Sequence, residues 1–274
     1  MGKNNNFSRI RFLLFILIIF CILLQVMPCS SFAKYSKTFQ MSEIVICAET
    51  DYKTKAFVYS AEQEGPSIMI MAGVHGDELA GMKAVERFMG NIELKRGTVI
   101  IIPEANKKAV EHGVRALSAA EDLNRHYPGD ISSAEEIKVL AGEIFNIMNN
   151  NEVDFLLDLH ESADYYHRNK NFYGQTIVLD DNKDPFLNEI ANYLADELNE
   201  IIISSKNMFN VIVKSIAGSS THEALNHLDI SGITFETCKK IDYKKRVDLH
   251  YQCIEKVLAY FDVIDVQFES ISGK

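Results

Sequence analysis

Tryptophan is absent, proline occurs five times, and only five cysteines stand in 274 residues. Cys21 and Cys29 fall within the first 33 residues, so the body keeps Cys47, Cys238 and Cys253, an odd set that cannot pair off completely inside one chain. None of the three has the Cys-x-x-Cys spacing of a structural zinc site or a thiol redox centre, and all three read as core residues. The Gly-x-x-x-x-Gly-Lys loop that cradles phosphates is missing. Gly218-Ser219-Ser220-Thr221 lacks the Gly-x-Ser-x-Gly pattern of a nucleophile elbow, and Ser220 with Glu223 reads as a capping box opening a short helix. Positive charge is also short. Lys3, Arg9 and Arg11 are the only charged residues before position 34, which leaves 25 basic against 38 acidic residues in the body, a net charge of −13. A surface that acidic repels phosphate backbones and anionic headgroups, which argues against a nucleic-acid partner and against peripheral membrane binding.

What is present begins with an address. Three basic residues precede an unbroken apolar run over residues 12–24, shorter than the roughly 20 residues needed to cross a bilayer. Ser31 and Ala33 occupy the two small-residue positions that a signal peptidase reads for a cut before Lys34. Residues 1–33 are therefore expected to be an export signal, the alternative being an uncleaved N-terminal anchor. In either case residues 34–274 are expected outside the cytoplasm, secreted or held at the membrane only by that segment.

The body alternates short apolar, β-branched runs with amphipathic ones. Strands are expected over residues 43–47, 56–60, 67–72, 98–102, 153–159, 176–179, 210–213 and 233–236, and helices over 78–89, 134–148, 186–202 and 246–260. Asp184 and Pro185 supply an N-cap and a favoured first residue for the third helix. Several strands are nearly continuous apolar runs, as strands covered on both faces are, so the pattern implies an α/β sandwich. Without repeats or a Pro/Gly linker, one catalytic-sized domain over residues 34–274 is the economical organisation. Residues 111–130 have no clear period, and long irregular segments inside a domain are usually functional.

In an open α/β sheet, ligands bind beyond the carboxyl ends of strands. Three such places carry chemistry: Gly73-Val74-His75-Gly76-Asp77-Glu78, His160-Glu161-Ser162 and Glu236. A spacing of three at a helix start puts His75 and Glu78 on one face, where nitrogen and carboxylate oxygen can reach one ion; a solvated helix start is the plainer alternative. His160 completes a set of two histidines and one carboxylate, which leaves a position on zinc open, and Asp158 stands at period two from it as a possible outer partner. Glu236 closes an apolar strand, where desolvation raises a carboxyl pKa and suits it to proton transfer; an exposed strand end is the alternative. Arg115 and the Arg125 of Asp122-Leu123-Asn124-Arg125 supply guanidinium groups shaped to grip a carboxylate, or else ordinary surface ion pairs.

In order, His75-Gly76-Asp77-Glu78, Asp122-Leu123-Asn124-Arg125, Asp158-Leu159-His160 and Phe235-Glu236 resemble the zinc carboxypeptidase superfamily, in particular its succinylglutamate desuccinylase/aspartoacylase branch. The resemblance implies a three-layer α/β/α sandwich around a mixed, eight-stranded sheet and one zinc ion per chain on His75, Glu78 and His160. It implies Glu236 as general base and then acid, Asn124 and Arg125 on a substrate carboxylate, and Arg115 polarising the scissile carbonyl. The reaction expected is hydrolysis of an amide bond beside a free carboxylate. A peptide, including a cell-wall peptide, is the expected substrate, with an N-acyl amino acid as the alternative. A third possibility is a binding protein that holds zinc or peptide without turnover.

Overall fold

The computed structural model of the protein describes residues 39–180 and 184–265. The leader expected over residues 1–33 lies outside the described residues. The strands are β1 (Phe39–Ile46), β2 (Thr54–Ala61), β3 (Ser67–Ala72), β4 (Thr98–Ile102), β5 (Phe155–Ser162), β6 (Thr176–Leu179), β7 (Asn210–Val213) and β8 (Ser231–Cys238). The helices are α1 (Leu79–Met89), α2 (Lys107–His112), α3 (Glu136–Asn150), α4 (Pro185–Glu200), α5 (Ser220–Leu228) and α6 (Tyr243–Tyr260). All eight strands join one mixed sheet in the order β1-β2-β4-β3-β5-β8-β6-β7. Its centre, β4-β3-β5-β8, is parallel, while β1, β2 and β6 make antiparallel pairings toward the edges.

Period-two alternation on the central strands decides how the layers form. Ile68 and Ile70 of β3 pack with Val85 and Phe88 of α1, Leu194 of α4 and Val257 of α6. Met69 and Met71 face the other way, into a second core with Leu140, Ile144 and Met148 of α3. Every residue of β3 is buried, which is why its sequence is apolar from Ile68 to Ala72. The expected three-layer sandwich and eight-stranded sheet are both found.

Local chemistry sets the helix ends. Asp184 accepts a bond from Phe186 N at 2.9 Å, and Pro185 opens α4, as its sequence implies. At α5 the expected cap is displaced by one residue: Ser219 Oγ accepts from His222 N at 3.3 Å, and Glu223 accepts from Gly218 N at 2.8 Å. Ser220 is free of the capping role and points inward. The short helix α2 at the edge of the irregular segment was not expected. Asn106 starts it by accepting from Ala109 N at 3.2 Å, and Gly113 ends it with φ +63°, a left-handed conformation that glycine tolerates.

One buried group makes the fold sensitive to acid. His250 on α6 is wholly buried; its Nε2 lies 3.0 Å from Thr237 Oγ1, its Nδ1 has no hydrogen-bond partner among the described residues, and its ring meets Phe235 edge-on at 5.2 Å. Burial holds it neutral and pushes its pKa down to about 3. The folded state therefore binds fewer protons than the unfolded chain below about pH 6.5, and this contribution to stability is lost as pH falls toward 3. Urea unfolding of wild type and His250→Leu at a series of pH values should give a stability difference that shifts in favour of the variant by about 1.4 kcal/mol per pH unit between pH 6 and 4. Parallel curves would contradict it.

Candidate metal centre

Strands β3, β5 and β8 lie near one another and run parallel, so their carboxyl ends share one edge of the sheet. The loop after β3 carries His75 and Glu78. It turns at Gly73, whose φ is +68°, and it passes so close to α2 that a Cβ on Gly76 would stand 2.1 Å from the Ala109 carbonyl. Sequence spacing implied that His75 and Glu78 share a helical face. The structure differs: both precede α1, and a turn closed by Glu78 N donating to His75 O at 3.3 Å folds the two side chains together. His160 and Glu236 were expected just beyond or at the ends of their strands. Both instead lie inside them, directly across from each other, because the β5–β8 ladder continues to Ser162 and Cys238.

Three side chains converge. His75 Nδ1 is 2.9 Å from Glu78 Oε1, His160 Nδ1 is 2.9 Å from Glu78 Oε2, and the two Nδ1 atoms are 3.1 Å apart. All three residues are buried, and their donor atoms lie within 4.8 Å of one another. Each imidazole has a carboxylate behind it. His75 Nε2 is 3.2 Å from Asp122 Oδ1. His160 Nε2 is also 3.2 Å from Asp158 Oδ2, close enough for charge–charge attraction although misaligned for a full hydrogen bond. Carboxylates in that place orient metal-bound histidines and raise their basicity. Asp158 was legible by its period; Asp122, 47 residues from His75, had no spacing to reveal it.

The charges show what the cluster needs. Burial favours neutral imidazoles, yet Glu78 and Asp122 hold His75 above its usual pKa, and Asp158 and Glu78 do the same for His160. Glu78, which burial alone would raise, is pulled well below the carboxylate range by the two histidines. Asp122 is likewise lowered against its burial, by His75 and then by Arg115 and Arg125. The cluster thus draws positive charge, and protons meet the demand poorly, since two cationic imidazoles whose Nδ1 atoms stand 3.1 Å apart repel each other. A small divalent ion fits the donors, because ligands at about 2 Å in a tetrahedral set stand about 3.3 Å apart.

Glu236 borders this cluster. It is buried, its Oε2 has no hydrogen-bond partner among the described residues, and burial pushes its pKa up to about 7, with His160 opposing and Glu78 adding to the rise. Arg115 spans the mouth: Nη1 is 3.6 Å from Glu78 Oε1 and Nη2 is 3.2 Å from Asp122 Oδ2, with half of the side chain exposed. Asn124 is buried and accepts from Ser220 N at 3.2 Å through Oδ1, which leaves its amide NH2 group to face elsewhere. Arg125 is exposed, and its Nη1 donates to Asn124 O at 2.6 Å.

Sequence reasoning missed Glu161. Its N–H donates to Glu78 Oε2 at 2.9 Å while its carboxylate accepts from Ala80 N at 2.9 Å, so one residue ties the Glu78 side chain and the start of α1 together. That carboxylate is buried and pairs with Arg246 of α6. Lys239, just past β8, ties down the same loop through Asp77 Oδ2 at 2.7 Å. A buried acid one place after His160 was a weak signal, because its partner is 85 residues away. Glu161→Ala strands the Arg246 charge and should cost about 3–5 kcal/mol in urea unfolding. The double substitution Glu161→Leu with Arg246→Met should recover at least about half of that loss, because a buried pair is replaceable by apolar groups of similar volume.

Comparison with known proteins places this geometry among relatives. Residues 64–247 match the model of the succinylglutamate desuccinylase/aspartoacylase catalytic domain. The N-alpha-acetyl-L-2,4-diaminobutyric acid deacetylase of Halomonas elongata is 32% identical over 103 residues, 36% of this chain and 30% of that protein. The aspartoacylase of Danio rerio is 26% identical over 147 residues, 49% of this chain and 44% of that one. The chain spans less than half the length of either relative. In fold it is similar to Helicobacter pylori Csd4, a D,L-carboxypeptidase in its mDAP-bound form, with a TM-score of 0.65 and 23% identity over 73% of this chain and 52% of that one. These relatives are hydrolases: a deacetylase, an aspartoacylase and, by fold, a carboxypeptidase.

Proposed function

The chain belongs to the succinylglutamate desuccinylase/aspartoacylase family, and we propose that it is an exported zinc-dependent hydrolase that cleaves an amide bond next to a free carboxylate on a peptide. The observation that carries the proposal is the buried convergence of His75 Nδ1, Glu78 and His160 Nδ1 beside a carboxylate, Glu236, that has one oxygen unpartnered. His75, Glu78 and His160 hold one zinc ion. When bound, zinc supplies Lewis acidity, making water more acidic and polarising a carbonyl oxygen.

The chain's own groups do the rest. Glu236, poised near neutrality by burial, takes a proton from the attacking water and hands it to the departing amine, a transfer that works best when the pKa lies near the working pH. The Arg115 guanidinium, at the mouth of the cluster, stabilises negative charge developing on the carbonyl oxygen. Asn124 and Arg125 hold the substrate carboxylate. The bond from Ser220 N to Asn124 Oδ1 occupies the amide oxygen and leaves the NH2 group as the end that meets an anion, so orientation is set before substrate arrives.

Two observations bear on the substrate. The basic and apolar pattern of residues 1–33 supports export and with it a peptide, including a peptide of the cell wall. The sequence relatives that act on acyl amino compounds favour a second reading, an N-acyl amino acid deacylase.

Metal analysis of the purified protein should return about one zinc per chain, with His75→Ala losing it; a zinc-free, folded wild type would end the proposal. Glu236→Gln should keep its zinc and lose turnover by about 10³-fold or more, in the upper range for a general acid–base group. Mass analysis of a panel of peptides and N-acyl amino acids then decides the substrate. Cleavage of acyl amino acids alone favours the deacylase reading, and a panel left intact by zinc-loaded protein favours a non-catalytic binder.

A further inference from the structure

The strand ends bring the metal-ligand residues together, but the groups that would hold the substrate carboxylate sit on a separate loop, and something must register one against the other. The first turn of α5 touches both. Ser220 is wholly buried. Its amide donates to Asn124 Oδ1 at 3.2 Å, and its hydroxyl donates to Asp158 Oδ2 at 2.5 Å. That same oxygen of Asp158 lies 3.2 Å from His160 Nε2, while Oδ1 of Asp158 has no hydrogen-bond partner among the described residues. Ser220 is therefore the donor that holds a buried carboxylate whose other oxygen lacks one.

The backbone around it reinforces the link. Gly218 adopts φ +80°, and a Cβ there would stand 2.6 Å from the Arg125 carbonyl, so only glycine lets this turn approach the loop so closely. Tyr127 N donates to Gly218 O at 3.2 Å. With Ser219 supplying the cap, the Ser220 hydroxyl is available for Asp158.

We propose that Ser220 is a positioning residue that couples the two halves of the site, holding His160 through Asp158 with its hydroxyl while its amide aims Asn124. The proposal rests on the reading of His75, Glu78 and His160 as metal ligands. It assigns Ser220 a defined consequence: without the hydroxyl, Asp158 loses its donor and His160 loses its fixed orientation, while the amide bond to Asn124 persists. The metal half of the site is then weakened and the carboxylate half is left intact.

The test compares wild type, Ser220→Ala and Ser220→Thr for zinc affinity by competition with a chromophoric chelator, for the visible spectrum of the cobalt-substituted protein, and for kcat and KM on any substrate found. Ser220→Ala should bind zinc about ten-fold more weakly, the lower end of the loss seen when an outer partner of a metal ligand is removed. Its cobalt spectrum should shift, and kcat should fall with KM changed less than about two-fold, because only the metal half has been disturbed. Ser220→Thr, which keeps the hydroxyl, should recover most of the affinity. Thr221→Ser, whose hydroxyl contacts Thr234 Oγ1 at 3.3 Å and neither half of the site, should match wild type. If Ser220→Ala does not fold, Asp158→Asn makes the same comparison at nearly constant volume, with the same weakening expected. Wild-type zinc uptake with unchanged affinity and spectrum in the alanine variant overturns the proposal alone. A wild type that takes up neither zinc nor cobalt overturns the reading of the site and this proposal with it.

Discussion

The architecture is organised around a concentration of buried negative charge at one edge of the sheet. Glu78, Asp158 and Glu236 are buried and Asp122 adjoins them, with two imidazoles between. Burying that many ionisable groups is costly unless positive charge joins them. The raised histidines and the lowered Glu78 and Asp122 are the protein's response through protons; a divalent cation would meet the same demand with better geometry. Much of what surrounds the cluster can be understood as what is needed to keep such groups in place.

The supporting contacts come from elements distant in sequence. Glu161 and Arg246 brace the Glu78 loop from α6, Lys239 holds Asp77 from beyond β8, and Ser220 holds Asp158 from α5. Each replaces a flexible degree of freedom with a hydrogen bond or ion pair inside the fold. The site is thus held by strand ends and helix starts rather than by its loops alone. Rigid support of this kind keeps reacting groups within the small tolerances that catalysis requires.

A large part of this was legible in the chain itself. The strands from β2 to β8 fall within a few residues of where alternation and apolar runs put them, because positions that face a core are mostly apolar whether one face of a strand is covered or both. His75, Glu78, His160 and Glu236 stood out because they stand where apolar strand runs end, the place at which an open α/β sheet binds ligands. The boundaries of β5 and β8 were less legible, since their shared hydrogen-bond ladder continues past the residues whose hydrophobicity marks them. Ser220 was misread as a cap for a related reason: adjacent serines satisfy the same local pattern, and the choice between them depends on which one a distant Asp158 can reach.

The sequence by itself determined the alternation of strands and helices, the apolar layers, and the identities and order of the residues near the candidate centre, because these follow from side-chain period and from the cost of burying charge. The tertiary structure alone decided which nitrogen of each imidazole faces the shared centre and which carboxylate stands behind it. It also decided that Glu161, Arg246 and Ser220 belong to the support. These are relations between atoms separated by tens of residues, and they are fixed only when β3, β5 and β8 bring their ends to one edge.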